Sequence, residues 1–372
     1  MRILLLVKRF DFGGAENHVC DLANGLAQAG HHVWVAGQRG RQMSRLDSVA
    51  QFVDLPLSDW TLLWRLFFLC RFLRTQKIDL IHAHQRLAIR LAGLAGLLTG
   101  IPVVATVHGR TRHDLGNWFF RRLPQRVIFV SKQVLKRATR FSCLAEKSVY
   151  IPNGLNSNRQ GTFCKDRILY ISRIDRRHGK LLSIIIRDVM PALLTDHPQL
   201  TFEIFGDGKG LPFLKKTAEE LNRRLGRLFV RLHGFQPEPQ MILEGSLVMG
   251  VGRAAMKGLA SGLPVLSINR KHLGPVITCA NYPVLKDSNF VDVTGGKPTP
   301  RTLLLRLREA LSKLEELAEE RILLQQSVLQ DFDSATVIRR TEQLYQEVLV
   351  TACGAVTLGR CRAADVPSMR RA

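Results

Sequence analysis

Apolar residues come along this chain in short runs that end in polar or glycine-rich turns, and stretches of helical spacing separate the runs. Residues 3–7 (ILLLV) read as a buried strand and Gly13-Gly14 as a tight loop. Residues 15–29 read as an amphipathic helix closed by Gly30, and residues 33–36 as the next strand. Further strand candidates at 79–82, 102–107, 127–130 and 148–151 run into His82-Ala-His84, His108-Gly109, Ser131-Lys132 and Asn153-Gly154. Strand, glycine turn and helix is the opening unit of a doubly wound parallel sheet, where ligands gather off the carboxyl ends of the strands.

Residues 152–160 are polar and read as a linker, after which the pattern restarts. Strands are expected at 167–171, 201–205 and 229–232, with helices at 180–194 and 211–224. The densest stretch is 246–268, SLVMGVGRAAMKGLASGLPVLSI. An apolar run meets a turn at Gly250 and Gly252, a helix of small residues covers 253–260, and Gly262 and Pro264 lead into another strand. A helix that starts at the carboxyl end of a strand offers unpaired N–H groups and a positive dipole end to phosphate. Two βαβ runs joined by a polar segment predict an α/β protein of two Rossmann-like domains with a cleft between them, residues 1–158 and 159–349. Helices are expected at 302–325 and 334–349. Residues 350–372 carry no periodicity and are expected to be a basic, disordered tail.

Composition adds one unusual feature. The apolar and charged fractions, 46% and 23%, are ordinary for a globular protein, but the formal net charge is +23. Such a charge predicts an acidic partner: phosphorylated ligands, an anionic membrane surface or nucleic acid. Nucleic acid binding is not expected as the main function, because the basic residues are dispersed and no helix-turn-helix, zinc-finger or RNP signature is present. The first turn lacks GxGxxG, which argues against a dinucleotide-dependent dehydrogenase. Seven cysteines include no CxxC pair, so neither a zinc ribbon nor a redox dithiol is predicted. No apolar run approaches the ~18 residues of a membrane-spanning helix, and MRILLLVKRF reads as a strand rather than a signal peptide. The expected location is the cytoplasm, with peripheral attachment to the inner face of the cell membrane.

That attachment rests on residues 60–74, WTLLWRLFFLCRFLR. Trp60, Trp64, Phe67 and Phe68 fall on one helical face with Arg65, Arg71 and Arg74 nearby. Two readings stand: an interfacial helix on anionic lipid, or a core helix whose arginines reach past its apolar face to water. Residues 117–126, NWFFRRLPQR, repeat the pairing of aromatic and basic residues.

Taken in order, GGAENHV (13–19), IHAH (81–84), TVHG (106–109), FVSK to IPNGL (129–155), YISRID (170–175), FGDGKGLPFLKKTAEEL (205–221), HGF (233–235) and ASGLPV (260–265) resemble the family 4, or group 1, glycosyltransferases of GT-B fold. The resemblance implies transfer of a sugar from a nucleotide-diphosphate donor to a hydroxyl on a carbohydrate or lipid-linked acceptor. It implies retention of anomeric configuration, no metal and no cofactor, in cell-envelope polysaccharide or glycolipid synthesis. Cations and backbone N–H groups would then stabilise the departing diphosphate. By the same resemblance Gly13 and Gly14 let the backbone approach the diphosphate, His108 contacts the sugar in transit and Arg173 grips the diphosphate. Gly206 and Gly208 belong to a turn near the donor, and Gly252 and Arg253 to the nucleotide-binding helix start.

The sequence departs from that family in two places. A lysine usual after the arginine is replaced by His178, with Lys180 two residues on as a substitute cation. Two glutamates usual around the donor helix are Met249 and Lys257 here. Lysine has donors only, so it cannot accept hydrogen bonds from a ribose; Lys257 either reaches a phosphate or points to solvent. The alternative to an enzyme with an altered donor site is a catalytically silent GT-B protein that partners a transferase or binds a glycolipid.

Overall fold

The computed structural model describes residues 1–11, 13–57, 62–109, 111–156, 160–236 and 243–364. Its contacts divide the chain into two compact units, Met1–Gly154 with Ala335–Ala372, and Leu155–Ser334.

In the first unit, β1 (Arg2–Arg9), β2 (His32–Gln38), β3 (Gln51–Asp54), β4 (Leu80–His84), β5 (Val103–Val107), β6 (Arg126–Phe129) and β7 (Ser148–Tyr150) form one parallel sheet. Its order is β3-β2-β1-β4-β5-β6-β7. Successive side chains leave a strand on opposite faces, and both faces are buried here. Leu4, Leu6, Ile81 and Ala83 enter one core, with helix Arg86–Thr99 and the inner side of helix Leu62–Thr75. Ile3, Leu5, Val7 and Leu80 enter the other, with helix Gly14–Gln28 and the C-terminal helix. The chain winds outward from β1 to β3, then returns to β4 on the other side, so the topological switch point lies between β1 and β4.

The second unit repeats the plan with β8 (Thr162–Ile171), β9 (Thr201–Phe205), β10 (Val230–Gly234), β11 (Glu244–Gly250), β12 (Val265–Ile268) and β13 (Leu273–Val276). The order is β10-β9-β8-β11-β12-β13, with only β13 antiparallel to its neighbour, and the switch point lies between β8 and β11. Ile168 and Tyr170 face one core and Leu169 the other, as the two-residue period requires.

Several sequence expectations change. The helix expected at 334–349 as part of the second domain runs over Ser334–Ala364 and packs into the first unit. Val337, Leu344, Tyr345 and Val348 are buried there against residues of β1, β2 and helix Gly14–Gln28. Apolar periodicity shows that a helix has a buried side, but not which sheet covers it. Residues 350–364, expected as part of a disordered tail, continue this helix, while 365–372 lie outside the described residues. The expected helix 302–325 is two helices, Pro300–Ser312 and Ala318–Asp331. The first packs Leu303 and Leu307 on one face of the second sheet, and the second packs Leu324 and Val328 on the other. One straight helix could not reach both faces. The expected helix 180–194 starts earlier, at Arg176, and widens to π geometry over Ile185–Val189. Pro191 lacks the N–H that would bond the Arg187 carbonyl, which accounts for the widening.

Candidate functional site

Each unit gathers its candidate residues where its sheet reverses direction. In the first unit these are the carboxyl ends of β1, β4 and β5. The turn after β1 enters helix Gly14–Gln28, whose first turn carries Glu16. Gly14 is exposed at the helix start, open to a ligand. Gly13 is extended, so its dihedrals do not demand glycine, but a Cβ there would run into the Glu16 carboxylate. Glu16 is itself held by Gln85, whose Nε2 donates to Oε1 at 2.6 Å, while Gln85 Oε1 accepts from the Lys8 backbone N–H at 3.2 Å. Gln85 sits just after β4 with φ 72° and ψ 154°, a conformation rare outside glycine. Nothing in the spacing of the sequence distinguishes this residue; its strain and its two bonds do.

Four imidazoles meet beside this turn. His82 and His84 share a face of β4 because they are two residues apart. His108 follows β5, the neighbouring strand, and His18 comes from helix Gly14–Gln28. His82 is fully buried: Nδ1 bonds the Tyr345 hydroxyl at 2.5 Å and Nε2 bonds Thr106 Oγ1 at 2.6 Å. His84 Nδ1 is 3.1 Å from His108 Nε2, and the His18 ring stands edge-on to His84 and His108 at 5.8 and 5.4 Å. Burial, then the nearby His108, pushes the His82 pKa down to about 3. Burial, then His82, His108 and His18, hold His84 well below the ordinary histidine range. At neutral pH His82 and His84 are therefore uncharged, and each can donate through one nitrogen and accept through the other. His84 Nε2 is buried with no hydrogen-bond partner among the described residues. Among the described residues no three His, Cys, Asp or Glu side chains are grouped to hold a metal ion. The arrangement suits hydrogen bonding to sugar hydroxyls rather than binding of an anion. Of the residues expected here the sequence singled out Gly13, Gly14 and His108; the roles of His18, Gln85 and Tyr345 emerge only in the fold.

The second unit carries the cations. After β8, Ser172–Asp175 leads into helix Arg176–Ile184, capped by Asp175, whose carboxylate accepts from the Arg177 and His178 backbone N–H groups. Arg173 and Lys180 are exposed, and His178 Nδ1 lies 3.1 Å from Asp175 Oδ1. His178 is thus held back on its own cap, while Arg173 and Lys180 remain open to a ligand. The helix-start bonds and the His178 imidazole together leave the Asp175 carboxyl below its usual range despite partial burial, which opposes them.

The loop carrying Arg173 is fixed by the turn after β9. The Ile174 N–H donates to the Asp207 carbonyl at 2.9 Å and the Gly210 N–H to the Ile174 carbonyl at 2.9 Å. Gly206 and Gly208 have φ 145° and 149°, and a Cβ on either would run into the Ser172 or Ile174 carbonyl. Their role is to let two loops touch, so that Arg173 is held in place.

Beside β8 lies β11, Met249 pairing with Tyr170. It ends at Gly250, and Gly252 (φ 59°) begins helix Arg253–Ala260. The Gly252 N–H donates to the Asn289 carbonyl at 3.0 Å, and Asn289 and the buried Phe290 are also left-handed, at φ 57° and 59°. Left-handed backbone at a bulky residue is costly, so strain is concentrated against this helix start. Arg253 occupies the first helical position. Met249 is a fully buried core residue, and Lys257 is only 7% exposed, which rules out the solvent-pointing alternative. It buries a cation where the resemblance expects an acceptor.

Two parallel doubly wound units, each with its candidate residues at the switch point, are the pattern against which the chain can be compared. Residues 12–159 match the family model described as Glycosyltransferase Family 4, covering nearly all of the N-terminal part of the first unit. That match makes the N-terminal part of the chain similar to the family 4 glycosyltransferases. The chain is similar to glycogen synthase of Mycobacterium tuberculosis, 23% identical over 407 aligned positions that cover 93% of this chain and 94% of that one. In fold it is similar to HepE of Anabaena, solved with UDP and glucose, at TM-score 0.70 and 18% identity over 93% of this chain and 99% of that one. A glycosyltransferase of Rickettsia africae gives TM-score 0.68 and 18% identity, covering 94% and 98%. The GT-B fold expected from the sequence is therefore the fold of this chain.

Proposed function

We propose that this glycosyltransferase moves a sugar from a nucleotide-diphosphate donor to a hydroxyl of a carbohydrate or lipid-linked acceptor, with retention and without a metal, in cell-envelope polysaccharide or glycolipid synthesis. The observation that carries the reading is the placing of Arg173 at the carboxyl end of β8, beside the Gly252–Arg253 helix start at the end of β11. In the reaction the bond between the anomeric carbon and the diphosphate oxygen breaks and the acceptor oxygen bonds that carbon. The acceptor proton leaves to the diphosphate or to water. Negative charge grows on the diphosphate as it departs, and a fixed guanidinium, Lys180 and helix N–H groups answer that need. The neutral His84 and its neighbour His108 supply donors and acceptors for the sugar. HepE, of like fold, has been solved with UDP-glucose, which supports a uridine donor class.

One observation favours a second reading. Lys257, buried in the donor helix, cannot accept from a ribose, as expected of a silent GT-B protein. A thermal-shift titration with UDP, GDP, ADP and their sugar conjugates separates the two. Ligand at ~100 times its Kd stabilises by about 2.7 kcal/mol, a rise of a few degrees. A shift confined to one nucleotide family supports the transferase and names its donor; a folded sample that answers to none supports the silent scaffold.

A further inference from the structure

Helix Leu62–Thr75 has two unlike sides. Leu69, Cys70 and Leu73 are buried in the first unit's core, so the helix is fixed by its inner side. Its outer side shows Leu63 at 81%, Trp64 at 80% and Phe67 at 68% exposure, and these three surround a shallow depression of about 250 Å³. Phe68 is also exposed, and one turn further along the same stripe come the exposed Arg71 and Arg74. The neighbouring helix Arg86–Thr99 packs alongside and extends the surface with exposed Leu97 and Leu98; Arg74 Nη2 donates to the Leu98 carbonyl at 3.4 Å. Trp60, expected on this face, lies outside the described residues. The core-helix reading thus holds for the inner side, while the outer side faces outward uncovered by the described residues.

So much exposed apolar surface on one helix needs an occupant. Its charge says which. Neither helix contains an aspartate or glutamate, and across residues 80–145 the only acidic side chain is Asp114, against eleven lysines and arginines. Helix Trp118–Arg122, which touches helix Arg86–Thr99, repeats the composition: Trp118 and Phe119 are exposed and the Arg122 guanidinium lies 4.0 Å over the Trp118 ring. A second copy of this chain would bring arginine against arginine. An anionic lipid surface offers phosphates to the arginines and an acyl boundary to Trp64 and Phe67. Among the described residues no helix is long and apolar enough to cross a membrane, and the surface described here is suited to the interface.

We propose that the outer side of helix Leu62–Thr75, with Leu97 and Leu98, is a docking face for anionic lipid bilayers. The inference stands on this surface and not on the donor site, so it survives if no sugar nucleotide binds. The test is flotation of the full chain with vesicles of phosphatidylglycerol and phosphatidylcholine, compared with phosphatidylcholine alone, at low and high salt. Binding is expected to the anionic vesicles only and to weaken with salt. The double variant Trp64→Ser with Phe67→Ser should weaken it at least tenfold, as should Arg71→Glu, whereas Arg71→Lys should retain most of it. All four side-chain changes are at exposed positions, so an unchanged circular dichroism melt checks the fold. Equal binding by wild type and the double variant would overturn the proposal. So would absence of vesicle binding, whether the wild type sediments as a monomer or as a dimer that the double variant breaks.

Discussion

The Tyr345 hydroxyl lies 2.5 Å from Nδ1 of His82, tying the C-terminal helix to β4 of the first unit. Burial holds the Tyr345 pKa well above the phenol range, so the hydroxyl keeps its proton at any working pH. Thr106 occupies the other ring nitrogen, and the His82 ring lies 4.2 Å from the His84 ring, tilted by 40°. Tyr345→Phe keeps the ring and leaves a buried imidazole nitrogen unanswered. Its expected cost is about 1–3 kcal/mol, read from the urea midpoint of the full chain. No change in midpoint would show that the bond contributes nothing.

Stability should fall with acid in a defined window. His82 titrates at about 3 when folded and near 6.5 when unfolded, so between those values only the unfolded chain takes up the proton. The contribution is complete above about pH 6.5 and is lost as pH falls toward 3. His84 acts in the same direction. By pH 5 the loss is about 2 kcal/mol for His82. Denaturant titrations at pH 7.5 and 5 measure it, and His82→Gln should flatten the dependence. An equally steep slope in that variant would mean that the ring is not buried neutral.

Gly206→Ala and Gly208→Ala should destabilise the second unit by about 1–3 kcal/mol each, because strain and a carbonyl contact coincide. Both should also weaken nucleotide binding by shifting Arg173. Gly296→Ala, where a Cβ meets nothing within 4 Å, is the neutral control. Calorimetric melts of the three variants make the comparison, and equal melts would count against the tight loop contact.

Arg173→Ala should leave the melting temperature of the free protein nearly unchanged, since the side chain is exposed. Nucleotide-diphosphate affinity should drop about ten- to a hundredfold, the equivalent of one charged hydrogen bond. Isothermal titration distinguishes this from a surface arginine with no ligand, whose removal would leave affinity as it was.

Lys257→Glu restores an acceptor to the donor helix. If the ribose lies there, affinity for the nucleotide should rise by about ten- to a hundredfold. The same titration run on this variant would falsify the altered-site reading if affinity stayed level in a folded protein.

Much of this protein can be read along its chain. The strands at 201–205 and 265–268 and the helix at 253–260 stand where apolar runs and glycine turns place them. That Arg173, Gly252 and Arg253 stand just past the ends of strands was legible, because each apolar run there gives way to a turn. The short edge strands β3 and β13 were not, since Gln51–Asp54 and Leu273–Val276 are too brief and too little alternating to stand out. Nor could spacing foresee that His178 would turn back to Asp175, or that the turn holding Gly206 and Gly208 would brace the Arg173 loop.

By itself the sequence determined local matters: which segments are strands or helices, where turns fall, and that each half winds into a parallel sheet. These follow from periodicity and backbone chemistry, which act over a few residues. Only the tertiary structure decided that helix Ser334–Ala364 belongs with the first sheet, that His18, His82, His84 and His108 meet, and that Lys257 is buried while Trp64 is not. Each of those outcomes depends on which surfaces meet across long stretches of chain, and an apolar stripe looks the same whichever surface covers it.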